Sequence, residues 1–138
     1  ELTAINTGRL EVMNIFFIIG ACIFITGLYI EIKADNQKSS FRSIPQNRDK
    51  FITEGLWSKS RHPNYFGEVL LWSGIAVMSV SALEGLQYIT LISPIFTYLL
   101  LVHVSGVRML EARANIKWGQ DLEYKNYVKN TPMLFPKL

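Results

Sequence analysis

Hydrophobic residues along this chain come in long runs, not in stripes one helical face wide, and the runs set the expected elements. From Val12 to Ile30 no charged residue occurs, and about 19 residues of helix at ~1.5 Å each cross a hydrocarbon core of roughly 30 Å. A second run extends from about Tyr65 to Leu83, interrupted by Glu68. A third extends from Leu86 to Val107 with Pro94 and His103 inside it. The expected fold is an all-α integral membrane helical bundle of three transmembrane helices that extend into the cytosol, over residues 12–38, 63–83 and 86–117. A short C-terminal amphipathic helix follows at 120–129, carrying Leu122, Tyr124, Tyr127 and Val128.

The breaks have local causes. Ser39-Ser40 and Pro45-Gln46-Asn47 are expected to end the cytosolic extension of the first helix, and Gly119 to stop the third. Pro63 stands where a helix can begin without losing an intrahelical hydrogen bond. Trp57, beside Lys59 and Arg61, suits an interfacial anchor with its ring at headgroup depth. The chain reads as a single membrane domain over 1–138, the C-terminal part of a longer protein, with no internal repeat or low-complexity tract. Its first apolar run lacks the basic flank and small-residue cleavage site of a signal peptide, so it reads as a retained helix.

Charge adds an orientation. Of 14 Lys and Arg residues, seven lie between Lys33 and Arg61, six between Arg108 and Lys137, and Arg9 stands alone on the other side. The positive-inside bias therefore places the 31–62 loop and the C-terminus in the cytosol and the Ser79–Gln87 turn outside. These cations lie next to lipid without a soluble basic face, so nucleic acid is not an expected partner; the lipid bilayer and a lipophilic small molecule are. The lone Cys22 excludes an intrachain disulfide, and no group of His, Cys and carboxylates has metal-ligand spacing. A Gly-rich phosphate loop and a Ser-His-Asp motif are also lacking.

The densest polar cluster is Arg61-His62-Pro63-Asn64-Tyr65-Phe66-Gly67-Glu68, where the basic loop meets the second helix. Asn64 and Glu68 are one turn apart, Tyr65, Glu68 and Trp72 share a face, and Gly67 permits close approach of a helix or ligand. A carboxylate one turn inside a membrane helix is costly unless paired or solvated, which singles out Glu68. A second cluster comprises Glu31, Asp35 and Arg42 on the extension of the first helix, where an acid suits ribose or amide groups and a base suits phosphate. In the third, Arg108 and Glu111 are three apart and can bond across one turn, with Arg113, Asn115, Tyr124 and Tyr127 downstream. Each cluster also has a plain reading as helix-end ion pairing, and His103 one as a packing residue.

Gly55-Leu56-Trp57, Ser60-Arg61-His62-Pro63-Asn64-Tyr65-Phe66-Gly67-Glu68 and the tail Tyr127, Thr131, Phe135, Pro136 carry a resemblance. The chain resembles the C-terminal half of steroid 5-alpha-reductase-like membrane proteins, in particular their branch of unassigned function. The resemblance implies NADPH-dependent reduction of a carbon–carbon double bond in a steroid- or lipid-like substrate, in the endoplasmic reticulum or bacterial inner membrane, with the cofactor site facing the cytosol. It implies catalytic roles for Glu68 and Tyr65, and cofactor binding by Asp35, Arg42, Arg61, His62, Asn64, Arg108, Glu111 and Tyr127. Part of the substrate pocket in that family comes from helices N-terminal to this region. Ala112 and Ile116 stand where assigned reductases carry His and Tyr, and Glu31 stands for an Asn.

The Arg-His-Pro-x-Tyr element and Tyr-x-x-Tyr tail also resemble isoprenylcysteine carboxyl methyltransferases, which bind S-adenosylmethionine, although Glu111 is alone where those enzymes carry two acids. A non-catalytic membrane scaffold, its polar residues only fastening helices together, is the third reading.

Overall fold

A computed structural model of the chain describes residues 2–80, 85–104 and 106–137. Every regular element among them is helical. Helix α1 covers Leu2–Ser43, so the apolar 12–30 run is the middle of a 42-residue rod about 63 Å long. Ser39 and Ser40 do not break it; the break comes at Ile44, whose φ of −81° and ψ of 118° is the extended conformation that the following Pro45 imposes. A 3-10 turn at Pro45–Asn47 and another at Gly55–Ser58 lead to α2, Pro63–Ser79, which starts at its proline as expected.

The third apolar run is segmented. A 3-10 stretch at Gly85–Ile92 passes into α3, Ser93–Leu99, with Pro94 in its first turn. A π turn at Leu100–Val104 precedes α4, Gly106–Trp118. The Gly119 N–H bonds to the Asn115 carbonyl at 2.8 Å, closing the last turn, and the Asp121 side chain accepts from Glu123 N–H to cap α5, Leu122–Asn130.

Among the described residues, two helical runs are long and apolar enough to cross a membrane, Leu2–Ser43 and Ser93–Trp118. The second apolar run supplies the 17 residues of α2, short of the roughly 20 that a span needs. Its expected end at Leu83 and the core of the Ser79–Gln87 turn, residues 81–84, lie outside the described residues.

Helices α1 and α2 run antiparallel with their backbones nearly touching. A Cβ on Gly27 would lie 2.5 Å from the Gly67 carbonyl oxygen and the Leu71 nitrogen; one on Gly20 would lie 2.7 Å from the Gly74 carbonyl oxygen. Gly20, Gly27 and Ala34 recur every seven residues, two turns, and Gly67 and Gly74 answer at the same interval. The close approach allowed by Gly67 is thus used by a helix, and the stripe carries α2 along α1 toward the polar end.

There the chain builds a small lobe. Trp57, expected at headgroup depth, is buried against Ala34 and Ile52, donates its indole N–H to the Ala34 carbonyl at 3.0 Å, and lies beneath the Lys38 ammonium. A buried indole needs such an acceptor, and the fully covered helix backbone at Ala34 supplies it.

The C-terminal strap, residues 131–137, closes over the Lys59–His62 loop. Arg61 N–H bonds to Pro132 O and Lys137 N–H to Lys59 O, both at 2.9 Å, while the Ser60 hydroxyl donates to Leu134 O at 2.7 Å. Leu134 is buried among Val102, Val107, Tyr65 and Phe66.

Candidate functional site

The Arg61-His62 dipeptide leads into α2 from a loop held by the strap, and that placement aims both side chains at α4. One Arg61 terminal nitrogen donates to both Glu111 carboxylate oxygens at 2.8 and 2.7 Å, while its Nε donates to Thr131 O at 3.1 Å. His62 Nε2 lies 2.8 Å from Glu111 Oε1. Glu111 therefore pairs with Arg61 and His62, not with Arg108 one turn away as its spacing suggested. Arg108 is exposed on α4 and pairs with none of these groups.

The apolar stretch ends at Val107, and Glu111 belongs to the polar half of its helix beyond it. Burial pushes its carboxyl upward, but the His62 hydrogen bond and the Arg61 guanidinium outweigh that and hold it below the usual carboxylate range. Tyr127, on α5, donates to Trp57 O at 2.5 Å. Burial lifts its phenol far above the ordinary range, so it remains a neutral donor.

These residues form one wall of a cavity of about 380 Å³. Six cations line it: Lys38, Arg42, Lys50, Arg61, Arg113 and Lys117. Glu111 is the one acid among its described lining residues, and it is already paired. The lining is also aromatic. Phe51 stacks on Tyr127 and meets Trp118 and Tyr124 edge-on, at centroid separations of 5.7, 5.5 and 5.2 Å. Trp118 donates its indole N–H to Asp49 O at 2.8 Å, which latches the 49–51 loop to the end of α4. A cationic, aromatic cavity with its acid neutralised fits a ligand carrying phosphates and a heteroaromatic base.

Of the sequence-derived candidates, Arg42, Arg61, His62, Glu111 and Tyr127 converge on this cavity. Asp35, Asn64, Tyr65, Glu68 and Glu31 gather instead where α1 meets α2. Asn64 donates to Asp35 Oδ1 at 3.3 Å, and its own Oδ1 is buried without a hydrogen-bond partner. Glu31 lies within electrostatic reach of Glu68 and Asp35, and Tyr65 within reach of Glu68. His62 joins the two groups, its ring stacked on Tyr65 at 6.0 Å. No metal-binding group of His, Cys, Asp and Glu exists among the described residues.

Sequence reasoning passed over Lys38, Lys50, Phe51, Lys117 and Trp118. Lys117-Trp118 repeats the cation-beside-tryptophan pattern noted at Trp57 and was the available signal. The 49–51 loop had none, because its position depends on a bond to a residue 69 positions away.

The family model described as protein of unknown function (DUF1295) matches residues 2–131. The chain is 43% identical over 67 residues to the steroid 5-alpha-reductase DET2 of Arabidopsis thaliana, a match covering 47% of this chain and 25% of that protein. It is 34% identical over 82 residues to the probable O-methyltransferase ustE of Ustilaginoidea virens, covering 59% and 29% respectively. To the 3-oxo-5-alpha-steroid 4-dehydrogenase 1 of Bos taurus it is 26% identical over 122 residues, covering 88% and 42%. The matched region thus spans between a quarter and less than half of these relatives. No solved structure matches the chain significantly.

Proposed function

Since the chain belongs to the DUF1295 family and is steroid 5-alpha-reductase-like, we propose that it forms the cofactor-binding part of an NADPH-dependent membrane reductase. Its reaction is reduction of a carbon–carbon double bond in a steroid- or lipid-like substrate. The observation that carries this reading is the cavity whose described lining combines Lys38, Arg42, Lys50, Arg113 and Lys117 with Phe51, Trp118, Tyr124 and Tyr127, while its one acid is paired. Anionic phosphates gain there, and a sulfonium meets an excess of like charge.

In this reading Arg42 and Lys38 bind phosphate oxygens, the Phe51–Trp118 pair packs on a base, and Asn64, bonded to Asp35, stands at the nicotinamide end. When bound, the nicotinamide supplies a hydride. Arg61, His62 and Glu111 hold the floor of the cavity by pairing with one another. Tyr65 and Glu68 lie on α2 past His62, where apolar helices would present a lipophilic substrate. The Tyr65 hydroxyl, or a protonated Glu68, donates a hydrogen bond to the oxygen on which negative charge develops. The cavity faces the cytosol, as the positive-inside bias requires.

The test is turnover by the full-length protein in detergent, with NADPH and a panel of steroid and sterol enones. Glu68→Gln is expected to abolish reduction while leaving NADPH affinity nearly intact. Wild-type protein that binds NADPH but reduces none of them would contradict the substrate class. A second reading, an S-adenosylmethionine-dependent methyltransferase, rests on the similarity to ustE.

A further inference from the structure

The six cations of the cavity are not equivalent. Arg61 is committed to Glu111, while Lys38 sits 4.9 Å above the Trp57 ring and Lys117 4.9 Å above the Trp118 ring. Lys50, Arg113 and Lys117 line the cavity beside the C-terminal half of α4. Arg113 and Lys117 are one turn apart on α4, with small Ala114 between them on the cavity wall. Lys50 is brought to that end by the Trp118 indole bond to the preceding residue's carbonyl. Neither Lys50 nor Arg113 has a carboxylate partner among the described residues, and the Lys117 pairing with Asp49 is 3.4 Å long to a 97% exposed carboxylate, worth little in water. From Glu111 the helix rises about 3 Å to Arg113 and about 9 Å to Lys117, so these cations run along α4 away from the Arg61 lock over roughly the length of a nucleoside.

Three cations around one edge of an aromatic wall match a phosphomonoester carried by a nucleoside whose base packs on that wall. A lone diphosphate bridge would not need them, since Arg42 and Lys38 serve the middle of the cavity. We propose that Lys50, Arg113 and Lys117 are specificity-determining residues that bind the ribose phosphomonoester distinguishing NADPH from NADH. This rests on the nucleotide reading above and adds the residues that select the phosphorylated cofactor. Each cation contributes a charge-assisted hydrogen bond available to one cofactor and not to the other.

The test is calorimetric titration of the full-length protein, wild type and Lys50→Ala, Arg113→Ala and Lys117→Ala, with NADPH, NADH and adenosine 2′,5′-bisphosphate. Each substitution is expected to weaken NADPH and the bisphosphate about tenfold while leaving NADH within about twofold. Arg113→Lys, which keeps the charge, should recover part of the loss. If the variants weaken NADPH and NADH equally, or leave NADPH unchanged, the assignment of these residues is overturned while the nucleotide reading stands. If wild-type protein binds neither dinucleotide, both fall together.

Discussion

Glu111 and Arg61, fifty positions apart, are joined by two hydrogen bonds of 2.7 and 2.8 Å from a single guanidinium nitrogen, and His62 shares the same carboxylate. Because Arg61 also holds Thr131 O and Pro132 O, this pair ties α4 to the C-terminal strap. Replacing the acid leaves a guanidinium in a half-buried site without its counter-charge. Glu111→Ala is expected to lower stability by roughly 2–3 kcal/mol, and a cycle with Arg61→Met to recover part of that. Thermal unfolding in detergent measures both.

The same pair sets an acid limb. The Glu111 carboxyl sits below its ordinary range when folded, so its stabilising contribution is present above the unfolded-state value and is lost as pH falls through the lower folded value. The unfolding temperature of wild-type protein should fall through that interval, and Glu111→Gln should flatten the fall. An unchanged acid profile would count against the pair as a stabilising element.

Tyr127→Phe removes the donor to a carbonyl inside the lobe, and is expected to cost about 1–2 kcal/mol. The ring remains to stack on Phe51, so NADPH affinity should change little. A large loss of affinity with unchanged stability would show that the hydroxyl serves the ligand.

Gly27→Ala places a methyl carbon 2.5 Å from backbone atoms of α2 that cannot rotate away. The helices must separate, at a cost of about 1–3 kcal/mol, whereas Gly8→Ala, with open space around it, should be neutral or mildly stabilising. Equal unfolding temperatures for the two variants would refute the close crossing.

Topology has its own check. In a Cys22→Ser background, cysteines at Asn6 and Ser40, near opposite ends of α1, should react with impermeant reagents from opposite sides of sealed vesicles, Ser40 from the cytosolic side. Reaction from one side only would contradict both the span and the orientation.

Much of this arrangement was legible in the sequence. The uncharged 12–30 run became the middle of α1 because nothing between Leu2 and Ser43 interrupts a helix, and Pro63 and Pro45 act where their ring chemistry dictates. What escaped depends on tertiary pairing. Spacing alone offered Glu111 its neighbour Arg108, but the strap brings Arg61 and His62 to it, and a guanidinium and an imidazole in a half-buried site prevail over one exposed cation. Trp57 looked like an interfacial residue because a boundary tryptophan beside cations has the same sequence signature as one buried in a lobe with a lysine above it. Lys50 and Phe51 carried no pattern, since their loop is placed by Trp118.

The central claim is that the cavity binds a phosphorylated dinucleotide. The most direct measurement is the thermal stabilisation of the detergent-solubilised full-length protein by NADPH and by S-adenosylmethionine, since a ligand that binds only the folded state raises apparent stability by mass action. The account predicts a saturable upward shift with NADPH, weakened by salt and by Arg42→Ala, and none with S-adenosylmethionine. Stabilisation by S-adenosylmethionine alone would contradict it and transfer the cavity to the methyltransferase reading, and a response to neither would leave the scaffold.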